Sequence, residues 1–452
     1  MSKTLWTSAD IAKATGGTAS GDFDISGLSI DTRTIEAGDL FVPLKDVRDG
    51  HDFIPMAMEK GAGGTLSENS VSGNAVIVKD SLQALRDLGK EGVERSKALR
   101  VAVTGSVGKT SVKEALAHMF GAFGDAHKSL KSYNNHWGVP LTMARMPQET
   151  EFGIFEMGMN HSGELSDLSH LLRPDIALIT TVAAVHLAQF KDVEEIADAK
   201  AEIIDGLRNN GTLILNADNP HAARIAQKAK GKRVITFGHS DACDVCVVTS
   251  QTHEHGSNTR LRINAQQIDV TLLVPGEHWV MNGAACIAVA YAAGLDLRKA
   301  AKALRGVRAE TGRGEMSELS IDGKTITLID ESYNANPTSM NAAIKLLGLK
   351  PGRRVAVLGD MGELGKDEIA MHAAMAQPLE AAGVSRVIVT GECMRALKGA
   401  LPQTMRGAWA RDWEFALDAL KEEIEDGDVV LVKGSNSAGL GKLVAALKEG
   451  TA

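Results

Sequence analysis

Residues 99–111 read Leu99-Arg-Val-Ala-Val-Thr104-Gly105-Ser-Val-Gly108-Lys109-Thr110-Ser111, an apolar stretch that runs directly into a glycine-rich turn. This order predicts a strand followed by a phosphate-binding loop, because the glycines let backbone N–H groups converge on an anion. Lys109 adds a positive charge, and Thr110 or Ser111 offers a hydroxyl group to a magnesium ion. A glycine-rich turn that binds no nucleotide is the alternative interpretation.

The residues after this turn place apolar side chains at helical spacing, so the bound anion would lie at a helix N-terminus. The loop is also shorter than the general G-x-x-x-x-G-K-[ST] pattern, because Val103 stands where that pattern has its first glycine. The chain therefore carries the variant form T-G-x-x-G-K-T.

Length and charge narrow the class of protein. The chain has 452 residues and a formal net charge of −8, and its length predicts about three domains. Runs of Lys and Arg are absent, which favours a small anionic substrate over a nucleic acid. The first residues lack the apolar core of a signal peptide, and no apolar stretch approaches the length of a membrane span. We therefore expect a cytoplasmic protein without membrane insertion, and its four cysteines suit a reducing compartment.

Alternating strand-like and helical segments predict an α/β protein of three domains. Residues 1–98 mix short β-rich runs with helical stretches over residues 52–60 and 81–94 and form a small α/β N-terminal domain. Residues 99–315 form a central P-loop domain with a mostly parallel sheet. Residues 316–452 form a second open sheet of the Rossmann-like α/β type.

Two candidate metal ligands follow apolar strands of the central domain. Glu156 ends the run Phe152-Gly-Ile-Phe, so its carboxylate should emerge at the carboxyl edge of the sheet, where ligands of α/β proteins bind. A magnesium ligand opposite the phosphate loop is one interpretation, and a solvated carboxylate at a strand end is the other. His186 follows the apolar run 176–182 and points to the same edge.

Lys200 lies on the apolar side of a predicted helix. With residues 193–208 taken as helical, Ile196, Ile203 and Ile204 define an apolar stripe, and Lys200 falls near its centre. A buried ammonium group must find a counter-charge, extend to solvent or lose its proton. A neutral lysine amine can react with carbon dioxide to give a carbamate, which would be a metal ligand. A structural ion pair is the alternative.

Several polar turns are further candidates. The segment 132–140 should hold a loop over the phosphates, and Asn282 either contacts adenine or caps a helix. Arg313 lies between two glycines at the predicted second domain boundary, from where it could reach a phosphate group on domain closure. Polar turns at 330–337, 359–365 and 432–436 follow strands of the last domain and are predicted to face the phosphate loop.

In this order the motifs resemble those of the Mur ligases, the ATP-dependent amino-acid and peptide ligases of cell-wall precursor synthesis. The resemblance covers essentially the whole chain. It rests on Ile30-Asp31-Thr32-Arg33, Gly38-Asp-Leu-Phe41, Asp49-Gly-His51-Asp-Phe53, T-G-x-x-G-K-T, N-N-x-x-G-x-P, Glu156-Met-Gly, Lys200-Ala-Glu-Ile, H-x-x-x-N, S-Y-N-A-N-P, L-G-D-M-x-E-L-G and V-K-G-S. The shortened phosphate loop is the family's own variant. After Lys433-Gly434-Ser435 the family commonly has arginine, whereas this chain has Asn436.

The resemblance implies roles for named residues. Lys109, Glu156, His186 and Lys200 would be catalytic, with Thr110 and Glu156 on one Mg²⁺ ion and Glu156, His186 and carbamylated Lys200 on a second. The implied ATP-binding residues are Thr104, Gly105, Ser106, Val107, Gly108, Lys109, Thr110, Ser111, Asn282, Arg313 and Asp330, together with Lys433. The implied substrate-binding residues are Ser29, Asp31, Thr32 and Arg33 for the uridine diphosphate end, and Asn134, Asn135, Tyr333, Asn334 and Asn336.

The implied reaction joins D-alanyl-D-alanine to UDP-N-acetylmuramoyl-tripeptide. The tripeptide carboxylate would attack the γ-phosphate of ATP to give an acyl phosphate, and the dipeptide amine would then form the amide. We expect a monomer that binds ATP, Mg²⁺ and these two substrates.

Three alternatives remain at this point. The chain could be the related ligase that adds the third amino acid, although the D-N-P-R signature of that enzyme is absent and Asp218-Asn-Pro220 is followed by His221. It could be a folylpolyglutamate synthase, or a nucleotide-controlled binding switch that is not an enzyme.

Overall fold

The computed structural model of the chain describes residues 3–130, 132–185 and 187–450. Within these residues the strands form four sheets, of two, five, nine and six strands. We refer to the last three as the N-terminal, central and C-terminal sheets. The α/β fold class predicted from the sequence is confirmed.

The N-terminal elements surround a small, mostly parallel sheet. In chain order they are β1 (Trp6–Thr7), α1 (Ser8–Thr15), β2 (Thr18–Ala19), β3 (Asp24–Ile25), β4 (Gly27–Ser29), β5 (Asp39–Phe41), α2 (Ile54–Glu59), β6 (Gly64–Ser67), β7 (Ala75–Ile77) and α3 (Ser81–Glu94). The sheet order is β2-β7-β6-β5-β4, with β2 antiparallel and the others parallel.

The central sheet carries the phosphate loop. Its elements are β8 (Leu99–Thr104), α4 (Lys109–Phe120), β9 (Ala126–Lys128), α5 (Gly138–Ala144), β10 (Phe152–Glu156), α6 (Glu164–Leu172), β11 (Ile176–Ile179), α7 (Val193–Ala201), β12 (Thr212–Asn216), α8 (Ala222–Lys228), β13 (Arg233–Gly238), β14 (Val245–His253), β15 (Gly256–Ile263), β16 (Gln266–Leu272), α9 (His278–Ala292) and α10 (Leu297–Leu304). The order is β16-β15-β14-β13-β12-β11-β8-β10-β9. All neighbours are parallel except β14-β15 and β15-β16.

The C-terminal sheet has the order β17-β18-β22-β19-β20-β21, in which only β17 is antiparallel to its neighbour among the described strands. Its elements are β17 (Glu315–Ile321), β18 (Lys324–Glu331), α11 (Pro337–Gly348), β19 (Arg354–Gly359), α12 (Glu368–Ala373), α13 (Ala376–Ala381), β20 (Arg386–Thr390), α14 (Met394–Ala400), β21 (Arg406–Ala410), α15 (Trp413–Glu423), β22 (Val429–Lys433) and α16 (Leu440–Glu449). Apolar cores lie on both faces of this sheet.

Helix α7 is shorter than the sequence pattern predicts. It ends at Ala201 and continues as a 3₁₀ turn over Glu202–Ile204. The tighter turn changes the angular spacing of side chains after Ala201, but Lys200 lies before this change and its inward direction is unaffected. The helix over residues 193–208 was therefore too long, and the buried position of Lys200 was predicted correctly.

The N-terminal elements are attached to the central sheet through α5. The indole Nε1 of Trp6 donates to the carbonyl oxygen of Ala144 at 2.8 Å, and the guanidinium of Arg95 lies over the Trp6 ring at 3.6 Å. Arg145 donates to the carbonyl oxygen of Leu28 at 2.9 Å. Leu141 and Ala144 of α5 belong to the same apolar core as Trp6 and Leu28, so one core spans the junction. None of the described helices has the length and apolar character needed to cross a membrane.

Candidate functional site

The phosphate loop has the backbone that its glycines predict. Gly105 and Gly108 have φ angles of 148° and 83°, a region that favours glycine. A Cβ atom on Gly105 would lie 1.9 Å from Oγ1 of Thr180, so a side chain at this position would collide with the neighbouring strand end. Helix α4 begins at Lys109 directly after Gly108, and its N-terminal N–H groups face the loop.

Lys109 is held at the mouth of this loop. Its ammonium group donates to the carbonyl oxygen of Gly105 at 2.7 Å. Burial lowers the pKa of Lys109, Glu156 opposes this effect, and Arg313 adds to it. The negative charge near the Lys109 ammonium group therefore does not balance its positive charge, and a polyphosphate bound in the loop would supply the missing negative charge.

Glu156 lies at the carboxyl end of β10, as predicted, and is only 1 % exposed. Its Oε2 accepts a hydrogen bond of 2.8 Å from the Thr110 hydroxyl, and its Oε1 accepts one of 2.8 Å from the Asn134 amide. A buried carboxylate beside a hydroxyl and an amide is a set of oxygen ligands typical of Mg²⁺ sites.

Lys200 is 2 % exposed on α7 and lines the same cavity as Glu156. Burial, and then the neighbouring charge of Lys109, lower the pKa of Lys200 well below its usual value. Among the described residues we find no hydrogen bond or salt bridge to its amine, so the ion pair considered from the sequence is not formed there. An amine in this environment favours the neutral form.

These residues share one cavity of about 500 Å³ between the central and C-terminal sheets. It lies at the carboxyl edges of β8, β10, β11 and β12 and faces the carboxyl ends of β18 and β22, which is where open α/β sheets bind ligands. The predicted site residues that line it are Ser106, Val107, Gly108, Lys109, Thr110, Ser111, Asn134, Glu156, Lys200, Asn282, Arg313, Tyr333, Asn334, Asn336 and Lys433.

The C-terminal sheet contributes cations to the cavity. The Arg313 guanidinium lies 4.0 Å from the centre of the Tyr333 ring and donates to the Ser132 hydroxyl at 3.0 Å. The Lys433 ammonium donates to the Asn334 carbonyl oxygen at 2.9 Å and pairs with Glu331 at 3.2 Å. Both cations are thereby fixed opposite the phosphate loop.

Other predicted site residues do not line this cavity. Asp330 accepts from the N–H of Gly312 at 2.9 Å and from the Ser332 hydroxyl at 2.6 Å, so it shapes the turn that carries Arg313. Asn135 accepts from the N–H of Gly138 at 2.9 Å and caps α5. Thr104 is buried at the end of β8. His186 lies outside the described residues.

The predicted uridine-binding residues lie on the N-terminal sheet. The Ser29 hydroxyl donates to the carbonyl oxygen of Asp31 at 2.9 Å, and the Asp31 carboxylate pairs with Arg33 at 2.6 Å. Thr32 accepts a hydrogen bond from Lys60 at its carbonyl oxygen, at 2.8 Å. These contacts order the loop after β4, and its role in binding stays a prediction.

A nucleotide and Mg²⁺ fit the cavity on the donors that it presents. The Nδ2 atom of Asn282 is buried without a hydrogen-bond partner among the described residues, and Oδ1 lies 3.2 Å from the position that a Cβ on Gly108 would take. A buried, unpaired amide donor is costly unless a ligand supplies the acceptor. The Oδ1 side of the Asn282 amide therefore lies beside the phosphate loop, in the lining of the cavity.

Sequence reasoning missed part of the cavity wall. Thr180 directly follows the buried strand β11, and Asn216 is the last residue of the buried strand β12. The Asn216 amide donates to the carbonyl oxygen of Thr180 at 3.0 Å. The rule that singled out Glu156, a polar residue at the carboxyl end of an apolar strand, would have found both. His278 was quoted only as part of a motif; burial lowers its pKa, Glu331 opposes this and Lys433 adds to it.

Comparison with known proteins agrees with this architecture. Residues 103–290 match the model of the Mur ligase middle domain, and residues 312–436 match that of the Mur ligase glutamate ligase domain. The chain is 35% identical to the UDP-N-acetylmuramoyl-tripeptide--D-alanyl-D-alanine ligase of Escherichia coli, over 95% of both chains. It is 31% identical to the enzyme of the same name from Rickettsia prowazekii, over 97% of this chain and 99% of that one.

Solved structures give the same result. The structure of MurF from Acinetobacter baumannii matches with a TM-score of 0.86 at 28% identity, covering 98% of this chain and 99% of that one. The MurF ligase of Thermotoga maritima, solved in complex with ADP, has a TM-score of 0.78 at 24% identity over 94% of this chain and 97% of that one, and supports the fold. From the matched domains and the full-length relatives together, this chain belongs to the Mur ligase family.

Proposed function

We propose that this chain uses ATP to join D-alanyl-D-alanine to UDP-N-acetylmuramoyl-tripeptide, giving the pentapeptide product, ADP and phosphate. The observation that carries the proposal is the agreement over nearly the whole chain with relatives named for this reaction. The cavity between the central and C-terminal sheets supplies the cations, carboxylate and amides that such a reaction requires.

The phosphate loop and Lys109 bind the β- and γ-phosphates of ATP. Loop N–H groups, the start of α4 and the ammonium group together offset the negative charge that the tripeptide carboxylate must approach. Arg313 and Lys433 add positive charge from the opposite wall of the cavity. Asn282 contacts the nucleotide with its unpaired amide; the specific contact to adenine stays a prediction.

Thr110 and Glu156 would hold one Mg²⁺ ion, and Glu156, His186 and Lys200 would hold a second. Bound Mg²⁺ neutralises charge on the transferred phosphoryl group. Lys200 acts as a carbamate: its neutral amine attacks carbon dioxide, a C–N bond forms, and the proton that is lost passes to solvent. This change converts a buried cation into an anion that can bind a metal, and it removes the repulsion between Lys200 and Lys109.

The chemistry then proceeds in two transfers. A tripeptide carboxylate oxygen attacks the γ-phosphorus, and ADP leaves to give an acyl phosphate. The amine of D-alanyl-D-alanine attacks the acyl carbon, loses a proton, and expels phosphate through a tetrahedral intermediate. Positioning and charge neutralisation account for catalysis, so the site needs no covalent nucleophile.

The acceptor lies between the N-terminal and central sheets. Ser29, Asp31, Thr32 and Arg33 bind its uridine diphosphate end. The peptide end lies toward the polar groups beside the phosphate loop, with contacts from Asn134, Tyr333, Asn334 and Asn336. A cytoplasmic location and a monomeric state stay predictions from the sequence.

The test is the substrate dependence of ADP release. We expect release only when ATP, Mg²⁺, UDP-N-acetylmuramoyl-tripeptide and D-alanyl-D-alanine are all present, with the pentapeptide product confirmed by mass spectrometry. Release with the UDP-dipeptide and a free diamino acid would favour the ligase that adds the third residue. Turnover of ATP that is indifferent to both substrates would contradict the proposal and favour a nucleotide switch.

A further inference from the structure

The phosphate loop is bonded along one side to the chain that follows β11. The N–H of Thr180 donates to the carbonyl oxygen of Thr104 at 2.9 Å, and the N–H of Ser106 donates to that of Thr181 at 2.8 Å. The Thr180 hydroxyl donates to the carbonyl oxygen of Val107 at 2.6 Å. Residues 180–183 therefore follow the loop from its first residue to its tip.

Ser106 is committed to this contact. Its hydroxyl donates to the carbonyl oxygen of Ala183 at 3.0 Å and accepts from the N–H of Ala183 at 2.9 Å. The residue is 7 % exposed, and its own N–H is bonded to Thr181. Because both its hydroxyl and its amide are occupied, Ser106 holds the loop in place rather than contacting a phosphate group directly.

The other side of the same segment is anchored to the turn after β12. The Asn219 amide donates to the carbonyl oxygen of Val182 at 2.7 Å and to the Thr181 hydroxyl at 3.0 Å. Asn219 is 8 % exposed, and its own carbonyl side-chain oxygen accepts from the N–H of His221 at 3.0 Å. The segment is thus held between the phosphate loop and a fixed turn of the central sheet.

A few residues later the segment meets the C-terminal sheet. The N–H of Ala188 donates to the carbonyl oxygen of Glu363 at 3.3 Å. Gly365 approaches so closely that an added Cβ would lie 3.3 Å from the carbonyl oxygen of Leu187. Glu363 and Gly365 have φ angles of 60° and 72°, so this turn has a specific shape that substitution would change.

We propose that residues 180–185 and 187–188, which we call the connector, couple docking of the C-terminal sheet to the shape of the phosphate loop. Ser106 and Asn219 are its positioning residues, and the turn at 363–365 is its contact with the C-terminal sheet. Docking of that turn orders the connector, and the ordered connector sets the loop for phosphate binding. The inference rests on the proposed ligase function.

The test is a double-mutant cycle on ligase activity. Ser106→Ala removes the two hydroxyl bonds to Ala183, and Gly365→Ala strains the turn at Leu187. Gly323→Ala is the matched control, because Gly323 also has a positive φ, of 80°, but has nothing within 4 Å of an added Cβ. Ser106→Thr retains the hydroxyl group and should restore activity.

We expect Ser106→Ala and Gly365→Ala each to lower kcat/KM for ATP by about tenfold. The double variant should be no worse than the more damaged single variant, because each change interrupts the same connection. In the control pair, the fold reductions in kcat/KM caused by Ser106→Ala and by Gly323→Ala should multiply in the double variant, because the two sites are independent. The inference would be overturned if the fold reductions in kcat/KM caused by Ser106→Ala and Gly365→Ala multiplied in the double variant. It would also be overturned if Ser106→Thr failed to restore activity.

A second measurement does not depend on turnover. Hydrogen exchange of the peptide covering the phosphate loop should be faster in Gly365→Ala than in Gly323→Ala, although Gly365 lies far along the chain, in the turn after β19. Equal exchange in both variants would overturn the coupling. A wild-type chain that releases no ADP with the complete substrate set would contradict the proposed function instead, so the two failures are distinguishable.

Discussion

Thr110 and Glu156 are joined by a hydrogen bond of 2.8 Å, in which the threonine hydroxyl donates to Oε2 of the carboxylate. The bond links the first turn of α4 to the end of β10, and it brings two oxygen ligands together at the base of the phosphate loop. A metal ion bound by both would replace this bond, so the pair is organised before the ion arrives.

We expect Glu156→Gln to lower kcat by about 100-fold or more, because the amide keeps the shape of the side chain but removes the negative charge that binds Mg²⁺. The measurement is ADP release at saturating substrates across a Mg²⁺ titration. Glu277→Gln is the control, since the Glu277 side chain is exposed and pairs with the exposed Lys345. Wild-type activity in Glu156→Gln would exclude the carboxylate as a required ligand.

Lys200→Ala should abolish ligation, and added bicarbonate should not restore it. With ¹³C-labelled bicarbonate, the wild type should give a carbamate carbon signal that is absent from Lys200→Ala. Lys228→Ala provides the control, because Lys228 is a partly exposed lysine whose nearest carboxylate oxygen, on Asp205, is 4.0 Å away. Near-normal ligation by Lys200→Ala would remove the carbamate from the mechanism.

Asn282→Leu should have opposite effects on the free and nucleotide-bound protein. The substitution removes a buried amide donor without a described partner, so the melting temperature of the free protein should rise. The stabilisation that ATP gives to the wild type should shrink, because the bound nucleotide loses this donor. Thermal melts with and without ATP measure both. An unchanged shift on adding ATP would show that Asn282 does not contact the nucleotide.

Stability should fall on mild acidification because of His127. Burial lowers the pKa of His127 to about 4, although its hydrogen bond to the carbonyl oxygen of Thr142 opposes the effect. The unfolded chain therefore binds a proton, from about pH 6.5 downward, that the folded chain does not bind until about pH 4. The contribution of His127 to the free energy of unfolding is therefore complete above about pH 6.5 and is lost progressively as the pH falls toward 4.

A His127→Leu variant isolates this effect. We expect its free energy of unfolding to depend less on pH than that of the wild type between about pH 6.5 and 4, with parallel curves above that range. Denaturant unfolding at a series of pH values provides the comparison. Parallel curves throughout would mean that His127 is not buried in its neutral form.

The sequence predicted best where one local signal decides the structure. Helix α3 was predicted over residues 81–94 and has those bounds, because Asp80 caps its N-terminus and an apolar stripe runs along it. Glu156 was placed correctly because polar residues that end buried parallel strands meet at one edge of the sheet. The burial of Lys200 followed from helical spacing alone.

Long-range contacts account for what the sequence did not predict. Strands β15 and β16 largely alternate buried and exposed residues, and together with β14 they extend the parallel sheet by antiparallel hairpins without intervening helices. The hydrogen bonds between the Ser106 hydroxyl and the Ala183 backbone join residues 77 positions apart in the sequence. No local sequence pattern predicts them. Asp330 illustrates the same point: the resemblance implies a role in ATP binding, and no local pattern indicated the hydrogen bonds that its carboxylate accepts from Gly312 and Ser332.

The junction at α5 has a consequence for the length of substrate that the enzyme accepts. Trp6, Arg95 and Arg145 bond the N-terminal elements to the central ones, and a shared apolar core fills the space between them. The end of β4, which carries Ser29, is thereby bonded to the elements that carry Glu156. If the uridine diphosphate end of the acceptor binds at Ser29, as we propose, the distance between these two residues limits the number of peptide units with which the carboxylate of the acceptor can reach Glu156.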